Sequence, residues 1–431
     1  MTYRDDAMPP KTHIFPSRHT VQRYLEDYAE QHDLRQHIRF NTAVTHLKKA
    51  KDGRGWLLTS KSTKNENGSS SSRDEPETFS YVAICQGRCN TPNIPDIPGL
   101  ETFDARIQHS AWYRDPSTYS ERRILVVGNG SSAMDISREL TGYITRHLPS
   151  GFTSAEWSER CKKDPFTVYS SWHSLDKPPG IDYNPLDSTS PGWNRRIKVL
   201  PQIKHIAGSN IHFEDGTILD EIELIIFATG YLFDNAFIDQ TVEPLLTRPL
   251  LPPSKHPSRT GFPSSTMYNL DDWLLFHSQD ETIAFLGLPL VVVPFPFTQA
   301  QAIYVVHRWL GLAPSLPLLD INIAPNDASR WTSRRDTGKG EEAKYQDGII
   351  LEPASLTISH PSDFAYVDAL LSLLKCVDPD AGKKAPWQQE YVSDGVGNGA
   401  PKGPEKFYAT TQWRVERRAN GKKLRREALG Y

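Results

Sequence analysis

The sequence predicts an α/β fold built around a nucleotide-binding unit, and three observations predict it. The first is ILVVGNGSSAMDISREL, residues 124–140: four apolar strand residues, then G-x-G-x-x-A, then a helix whose Ala133, Ile136 and Leu140 share one face. The second is a pair of further strand candidates downstream, FTVYSS at 166–171 and LIIFATGY at 224–231. The third is composition: 431 residues, 38% hydrophobic and 23% charged, enough for two ordinary domains with their own cores.

The elements follow in chain order. A proline-rich start leads into VQRYLEDYAEQHDL, whose apolar residues at 21, 24, 25 and 28 have the spacing of an amphipathic helix. HIRFNTAVTHLKKA, GWLLTS and TFSYVAICQG read as strands, and STKNENGSSSSRDEPE between the last two reads as a low-complexity surface loop. CNTPNIPDIPGL is extended, because its prolines leave little room for helix. After the fingerprint, RIKVLPQIKHIAGSNIHFEDGTILDEIELIIF reads as a β-meander with an EDG turn. TIAFLGL is a strand, and TQAQAIYVVHRWL predicts a helix from Thr298 to Leu310. Beyond residue 320 the periodicity is weak, with helix expected only near FAYVDALLSLLKCV. GVGNGAPKG at 395–403 lacks a preceding strand and reads as a turn.

Composition excludes several classes. A net charge of −3 and a pI near 6.5 give no basic field for nucleic acid. The C-terminal QWRVERRANGKKLRREALGY, with seven Lys or Arg against two Glu, reads as a solvated tail. Four cysteines without a C-x-x-C pair argue against a dithiol, a zinc site and a disulfide framework. The most apolar run, IAFLGLPLVVVPFPF, is broken by three prolines, so no transmembrane segment is expected, and a polar start gives a cytoplasmic default.

In the fingerprint, Gly128 permits the turn, Gly130 lets backbone approach a diphosphate, and Ala133 lets the helix pack on the strand. Asn129, Ser131 and Ser132 complete the loop whose amides face the ligand. The second strand ends Ser170-Ser171-Trp172-His173, without the acid that holds a ribose 2′-hydroxyl, which favours NADP over NAD. No arginine stands at that corner to meet a 2′-phosphate. Ser171 and His173 are the candidates, and ordinary loop residues are the alternative.

Taken in order, these segments resemble the flavin-containing monooxygenases, especially fungal members. FPSRHTVQRYLEDYAEQHDLRQHIRFNTAV resembles a segment of the family's FAD domain, and CNTPNIPDIPGL its linker. FDARIQHSAWYRDP resembles the signature F-x-G-x-x-x-H-x-x-x-[YF], with Phe103, His109 and Tyr113 in place and Ala105 at the glycine. GNGSSAMD is similar to the NADP loop, FATGY to the second interdomain crossing, and PFPFTQAQA extends the likeness to about residue 315.

The resemblance implies a flavoprotein with two dinucleotide-binding domains. Residues 1–118 and 235–431 would form an incomplete FAD-binding Rossmann-like domain, and 119–234 an inserted NADP-binding one. It implies a monooxygenase of the N,N-dimethylaniline type that passes electrons from NADPH through FAD to molecular oxygen. The small-molecule substrate would be a soft nitrogen or sulfur nucleophile or a ketone, in a fungal biosynthetic setting. The cofactor carries the oxygen chemistry, so no catalytic side chain is nominated. Thr229 and Gly230 would lie at the second crossing, Gln86 and Gly87 at the first, Val44 beside adenine and Gln299 towards the flavin. Each also has a plain structural reading: a surface histidine at 109, a strand end at 229–230, a buried strand valine at 44, a solvent amide at 299. The family's FAD fingerprint has no counterpart here, and the reading expects either a truncated form of a longer protein or a remnant with weakened FAD affinity. Two rival functions stay open: a non-catalytic NADP-binding remnant, and a dithiol reductase, for which Cys85-x-x-x-Cys89 supplies no redox pair.

Overall fold

The computed structural model describes residues 2–3, 8–9, 12–13, 15–63, 72–142, 153–163, 165–178, 183–254, 259–290, 292–317, 344–346, 348–354, 356, 363–375, 410 and 412–429. They form two units, residues 1–91 with 232–419 and residues 92–231 with 420–431.

In the second unit Ile124, Leu125 and Val126, and all of Leu224–Phe227, are 0% exposed. A run of apolar residues without polar alternation forms a strand covered on both faces, and that is the state of these two. Five strands lie parallel in the order Arg106–His109, Leu224–Phe227, Arg123–Val127, Thr167–Ser171, Lys198–Leu200. Alternate residues face opposite ways. Ile124, Val126, Val168, Leu224 and Ile226 pack against Ala133, Met134, Ile136 and Leu140 of the Ser131–Leu140 helix. Leu125, Val127, Ile225 and Phe227 pack on the other face against Ile203, Ile206, Ile211 and Phe213 of a three-stranded antiparallel sheet.

That sheet is the expected meander, closed at Glu214-Asp215-Gly216, where Gly216 takes φ +86 and the Phe213 amide donates to Thr217 O at 2.9 Å. Its expected first strand behaves differently: Lys198–Leu200 leaves the meander and extends the parallel sheet beside Thr167–Ser171. The unit also begins ahead of the fingerprint, taking in residues 92–118, because Arg106–His109 pairs with Leu224–Phe227.

The basic C-terminal stretch is not a solvated tail where it is described. Gln412–Ala419 and Gly421–Leu429 are helices. The second belongs to the parallel-sheet unit: Arg425 Nη2 lies 2.5 Å from Asp135 Oδ1, and the Arg426 guanidinium sits 3.7 Å over the Tyr183 ring. These partners are remote in sequence, which is why local periodicity gave no sign of them.

In the first unit, Ser17 caps the Arg18–Gln31 helix by accepting the Thr20 amide at 3.2 Å. Tyr24 is the one buried residue of its apolar stripe. Thr42–Lys49, Trp56–Ser62 and Ser72–Phe79 form an antiparallel sheet in sequence order. The loop expected at 62–77 is therefore shorter than its composition suggests. Pairing of Trp56 with Phe79 and Leu58 with Glu77 overrides the polar sequence, while residues 64–71 lie outside the described set. Asp280–Phe285 runs parallel to Val82–Ile84 and antiparallel to Phe276–His277. Against it lies a core of Phe297, Ala300, Tyr304, Tyr366, Leu370 and Leu371, from the helices Pro294–Trp309 and Asp363–Lys375. The first of these helices starts at Pro294 rather than Thr298, because proline fits the first turn, where no amide donor is needed. The 395–403 glycine cluster lies outside the described residues.

One buried ion pair ties the antiparallel sheet to the Asp280–Phe285 strand. Lys49 Nζ, on a residue 6% exposed, lies 2.6 Å from Asp280 Oδ2 and 2.9 Å from Thr282 Oγ1, which also accepts from Trp56 Nε1 at 2.9 Å. Burial pushes the Asp280 carboxyl up, but hydrogen bonds from Lys49 and Thr282 outweigh it and hold the group below its ordinary value. A depressed carboxylate contributes stability above its unfolded value, and that contribution is lost as pH falls through the folded one. Lys49→Ala leaves Asp280 charged and unpaired, and should cost about 3–5 kcal/mol in denaturant unfolding at pH 7. The cost should shrink as pH falls below the ordinary carboxylate range and through the lowered folded value.

Candidate functional site

The parallel ladder aligns the carboxyl ends of all five strands. His109 pairs with Phe227, Phe227 with Val127, Val127 with Ser171 and Ser171 with Leu200. The central strand, Arg123–Val127, is where the order of connections reverses, the place where open parallel sheets bind ligands. The fingerprint loop opens there. A groove lined by Asp104, Arg106, Arg123 and Glu223 lies at the opposite ends of the strands and does not adjoin it.

Gly128 has φ +119, and a Cβ on it would stand 2.6 Å from Ala228 O, so no other residue fits this turn. Its amide donates to Ser171 O at 2.8 Å. Ala133 is 0% exposed and inside the core, which explains the small third position. Gly130 is different. Its φ of −77 suits any residue, and a Cβ there would meet nothing within 4 Å. It is the N-cap residue and offers no side-chain acceptor. The first-turn amides of Ser131, Ser132 and Ala133 have no acceptor within the helix, and Ser131 and Ser132 are exposed. Asn129 donates from Nδ2 to Lys177 O at 2.7 Å.

At the end of the second strand, Ser171 is 2% exposed and gives its hydroxyl hydrogen to Pro201 O at 2.7 Å. His173 is exposed, with Nδ1 2.7 Å from Gln202 Oε1.

The turn after Leu224–Phe227 is pinned from several sides. Gly230 takes φ +82, its carbonyl accepts from the Asn93 amide at 3.0 Å, and the Thr229 hydroxyl donates to Asn93 O. His109 completes the pin. It is 0% exposed, not a surface histidine. The Ala111 amide donates to its Nδ1 at 3.1 Å, which leaves Nε2 as the N–H that donates to Gly230 O at 2.9 Å. Burial holds its pKa below the ordinary value, against the bond to Gly230, which favours the cation. Phe103 lies in the core, and Tyr113 donates to Glu139 Oε2 at 2.9 Å on the fingerprint helix. The signature residues therefore hold the fold and are not placed for chemistry.

The residues expected near flavin lie in the first unit. Val44 is 43% exposed, not buried, and pairs with Ser60 in the antiparallel ladder. Gln86 is exposed and donates its amide to Asn235 Oδ1, and Gly87 takes φ +74. Gln299 is partly buried on the Pro294–Trp309 helix. The structure thus sets these four on three separate elements. Gln301, two positions on, is fully buried, accepting the Gly287 amide at 2.8 Å and donating to Tyr366 Oη at 3.0 Å. Sequence reasoning missed it, although its phase with Phe297 and Tyr304 marks the buried face.

Residues 1–164 and 193–250 match the profile of a family described as flavin-binding monooxygenase-like. Flavin-containing monooxygenase 3 of Rattus norvegicus is 26% identical over 286 residues, 56% of this chain and 52% of its own length. The chain thus spans about half the length of the curated relatives it first matches. The thiol-specific monooxygenase of Saccharomyces cerevisiae is 27% identical over 368 residues, 84% of this chain and 72% of its own. Among solved structures, the S-allyl-L-cysteine S-oxygenase of Allium sativum superposes with a TM-score of 0.60 at 17% identity, covering 99% of this chain and 82% of that one. Tmm of Pelagibacter sp. strain HTCC7211 gives 0.51 at 16%, covering 94% and 79%. These two likenesses are of fold, and the shared fold is α/β.

His109→Ala should strip the Ala111 amide of its side-chain acceptor and leave the Gly230 carbonyl with the Asn93 amide alone, at a cost of about 1–3 kcal/mol in urea unfolding at pH 7.5. Because the folded His109 resists protonation, its contribution is present above the unfolded value near 6.5 and fades as pH falls. The difference between variant and wild type should therefore be smaller at pH 5.5 than at pH 7.5. An equal or larger difference at the lower pH would contradict the assigned tautomer.

Proposed function

Because the chain belongs to the flavin-binding monooxygenase-like family, we propose that it acts as an NADPH- and FAD-dependent monooxygenase on a small-molecule substrate, with the second unit holding the nicotinamide coenzyme. The observation that carries this reading is Gly130. The fold has no need of a glycine there, which supports a need set by a ligand whose phosphates must come within hydrogen-bond distance of backbone.

The chain's own part in the chemistry is binding and placement. Amides of Ser131 and Ser132, at the positive end of the helix macrodipole, meet the pyrophosphate, and the buried Ala133 packs the helix start beneath them. Asp135 would repel that anion from the same helix, but its Oδ1 is shared between Arg138 Nη2 at 2.7 Å and Arg425 Nη2 at 2.5 Å. Two guanidiniums on one carboxylate leave the second turn net positive, in keeping with a phosphate ligand. Flavin, when bound, supplies the oxygen chemistry, with Val44, Gln86, Gly87 and Gln299 as its candidate contacts and Thr229 and Gly230 at the crossing. No protein acid–base pair is invoked. The substrate read from this family is a soft nitrogen or sulfur nucleophile or a ketone, and a fungal biosynthetic role fits the same reading.

Gly130→Glu places a side chain and a negative charge where the pyrophosphate sits. It should abolish NADPH binding by fluorescence titration and leave the unfolding midpoint nearly unchanged, because the site is open and the backbone unstrained. Unchanged affinity would remove the fingerprint from the function. In a parallel titration with added FAD, stoichiometric flavin absorbance and NADPH-dependent oxygen uptake should appear. NADPH binding by a preparation that stays colourless would support a non-catalytic coenzyme binder instead.

A further inference from the structure

The coenzyme reading leaves open which group distinguishes NADPH from NADH. The second strand lacks the acid of a NAD site, and neither of its two corner residues offers the donors of a lysine or arginine. Ser171 is buried, and its only hydroxyl hydrogen is donated to Pro201 O at 2.7 Å. A phosphate needs donors, so this hydroxyl has nothing left to give. His173 spends Nδ1 on Gln202 Oε1 at 2.7 Å, which leaves one ring nitrogen for a ligand where a lysine brings three donors and a full charge.

Beyond this corner the chain makes a turn, with the Lys177 amide 3.4 Å from Ser174 O, and returns to the fingerprint loop. There the Asn129 side chain binds the carbonyl of Lys177 at 2.7 Å. Asn129 stands between the two glycines of G-x-G, and Ser171 ends the strand beside it. The adenosine ribose of a bound dinucleotide lies between these two landmarks in this fold. Lys177 is thus a cation fixed by its backbone to the ribose side of the loop, six residues past the strand end, with its side chain exposed.

We propose that Lys177 reads the 2′-phosphate of the coenzyme and sets the preference for NADPH over NADH. This rests on the coenzyme reading above. Asp176, its exposed neighbour, is the competing possibility: a carboxylate reaching the ribose would accept from a 2′-hydroxyl and select NADH instead. The Asn129 tether favours the lysine, because it fixes residue 177 itself against the loop. A single exposed ammonium also predicts a preference that weakens with salt.

The test is equilibrium binding of NADPH and NADH to the full chain, as wild type, Lys177→Ala, Lys177→Arg and Asp176→Ala. The tether uses a backbone carbonyl, so none of these substitutions removes it. Lys177→Ala should weaken NADPH about tenfold or more while NADH stays within about twofold, and Lys177→Arg should retain most of the preference. The wild-type ratio of affinities should fall as salt rises. If Lys177→Ala changes neither coenzyme, or both equally, the assignment is overturned while the coenzyme site stands. A wild type that prefers NADH, with the preference lost in Asp176→Ala, assigns the corner to the acid and also overturns it. Failure of wild type to bind either coenzyme overturns the site and this assignment together.

Discussion

The parallel-sheet unit depends on the backbone at Gly128. At this residue the central strand must stop, reverse and start a helix while three strand ends are still being tied together. Its amide closes onto Ser171 O, the Ala228 amide closes onto Val127 O at 2.9 Å, and Ala228 O lies where a Cβ would have to go. Any side chain there would clash with the neighbouring strand and demand a left-handed conformation at the same time. The first turn of the helix can open at the sheet edge only because this corner is so tight. The open helix start at Ser131 and Ser132 is therefore a consequence of how three strands close, and the loop sequence alone does not create it.

Two glycines in one motif accordingly have different reasons. Gly128 is required by the protein; Gly130 is not, and on the proposed site its lack of a side chain serves the ligand. The distinction is invisible in the sequence, where both are the same letter. It becomes visible when the space around each Cα is known: occupied backbone at 2.6 Å in one case, nothing within 4 Å in the other.

The strength of local signals decided what was legible beforehand. The strand, turn and helix of 123–140, the strands at 167–171 and 224–227, and the EDG turn are set by contacts within a few residues or by unbroken apolar runs, and all are where the sequence places them. What was not legible depends on partners distant in the chain. Lys198–Leu200 reads as part of a meander until Ser171 is seen beside Leu200. Ser72–Phe79 reads as loop until Trp56 meets Phe79. The C-terminal arginines read as solvated charge, because nothing near them in sequence shows that Asp135 and Tyr183 lie opposite. His109 illustrates the same limit at a single residue. Its type suggests a surface or reactive group, whereas complete burial with both ring nitrogens bonded makes it a backbone clamp.

The site itself is legible only through its glycines, and there is a physical reason for that. Binding by backbone amides constrains φ, ψ and empty space, and constrains the side chains of Ser131 and Ser132 hardly at all. A site of this kind leaves its trace in small residues and in the strand and helix that flank them. On the proposed site, the charged groups that would tune it come from elsewhere: Lys177 from the loop after the second strand, Arg138 from the helix itself, Arg425 from the C-terminal helix Gly421–Leu429. They converge on one loop because the fold brings three strand ends and two helices to the same corner. Sequence spacing cannot rank such residues, since their separation from Gly130 runs from a few positions to nearly three hundred. Their common property is spatial: each touches the loop or its helix through a bond that outlasts substitution of the phosphate-facing residues. On the proposed site, the coenzyme's phosphates and its 2′ position would be read by separable parts of the chain, the first by backbone that a single side chain can block, the second by a side chain that the backbone merely carries into place.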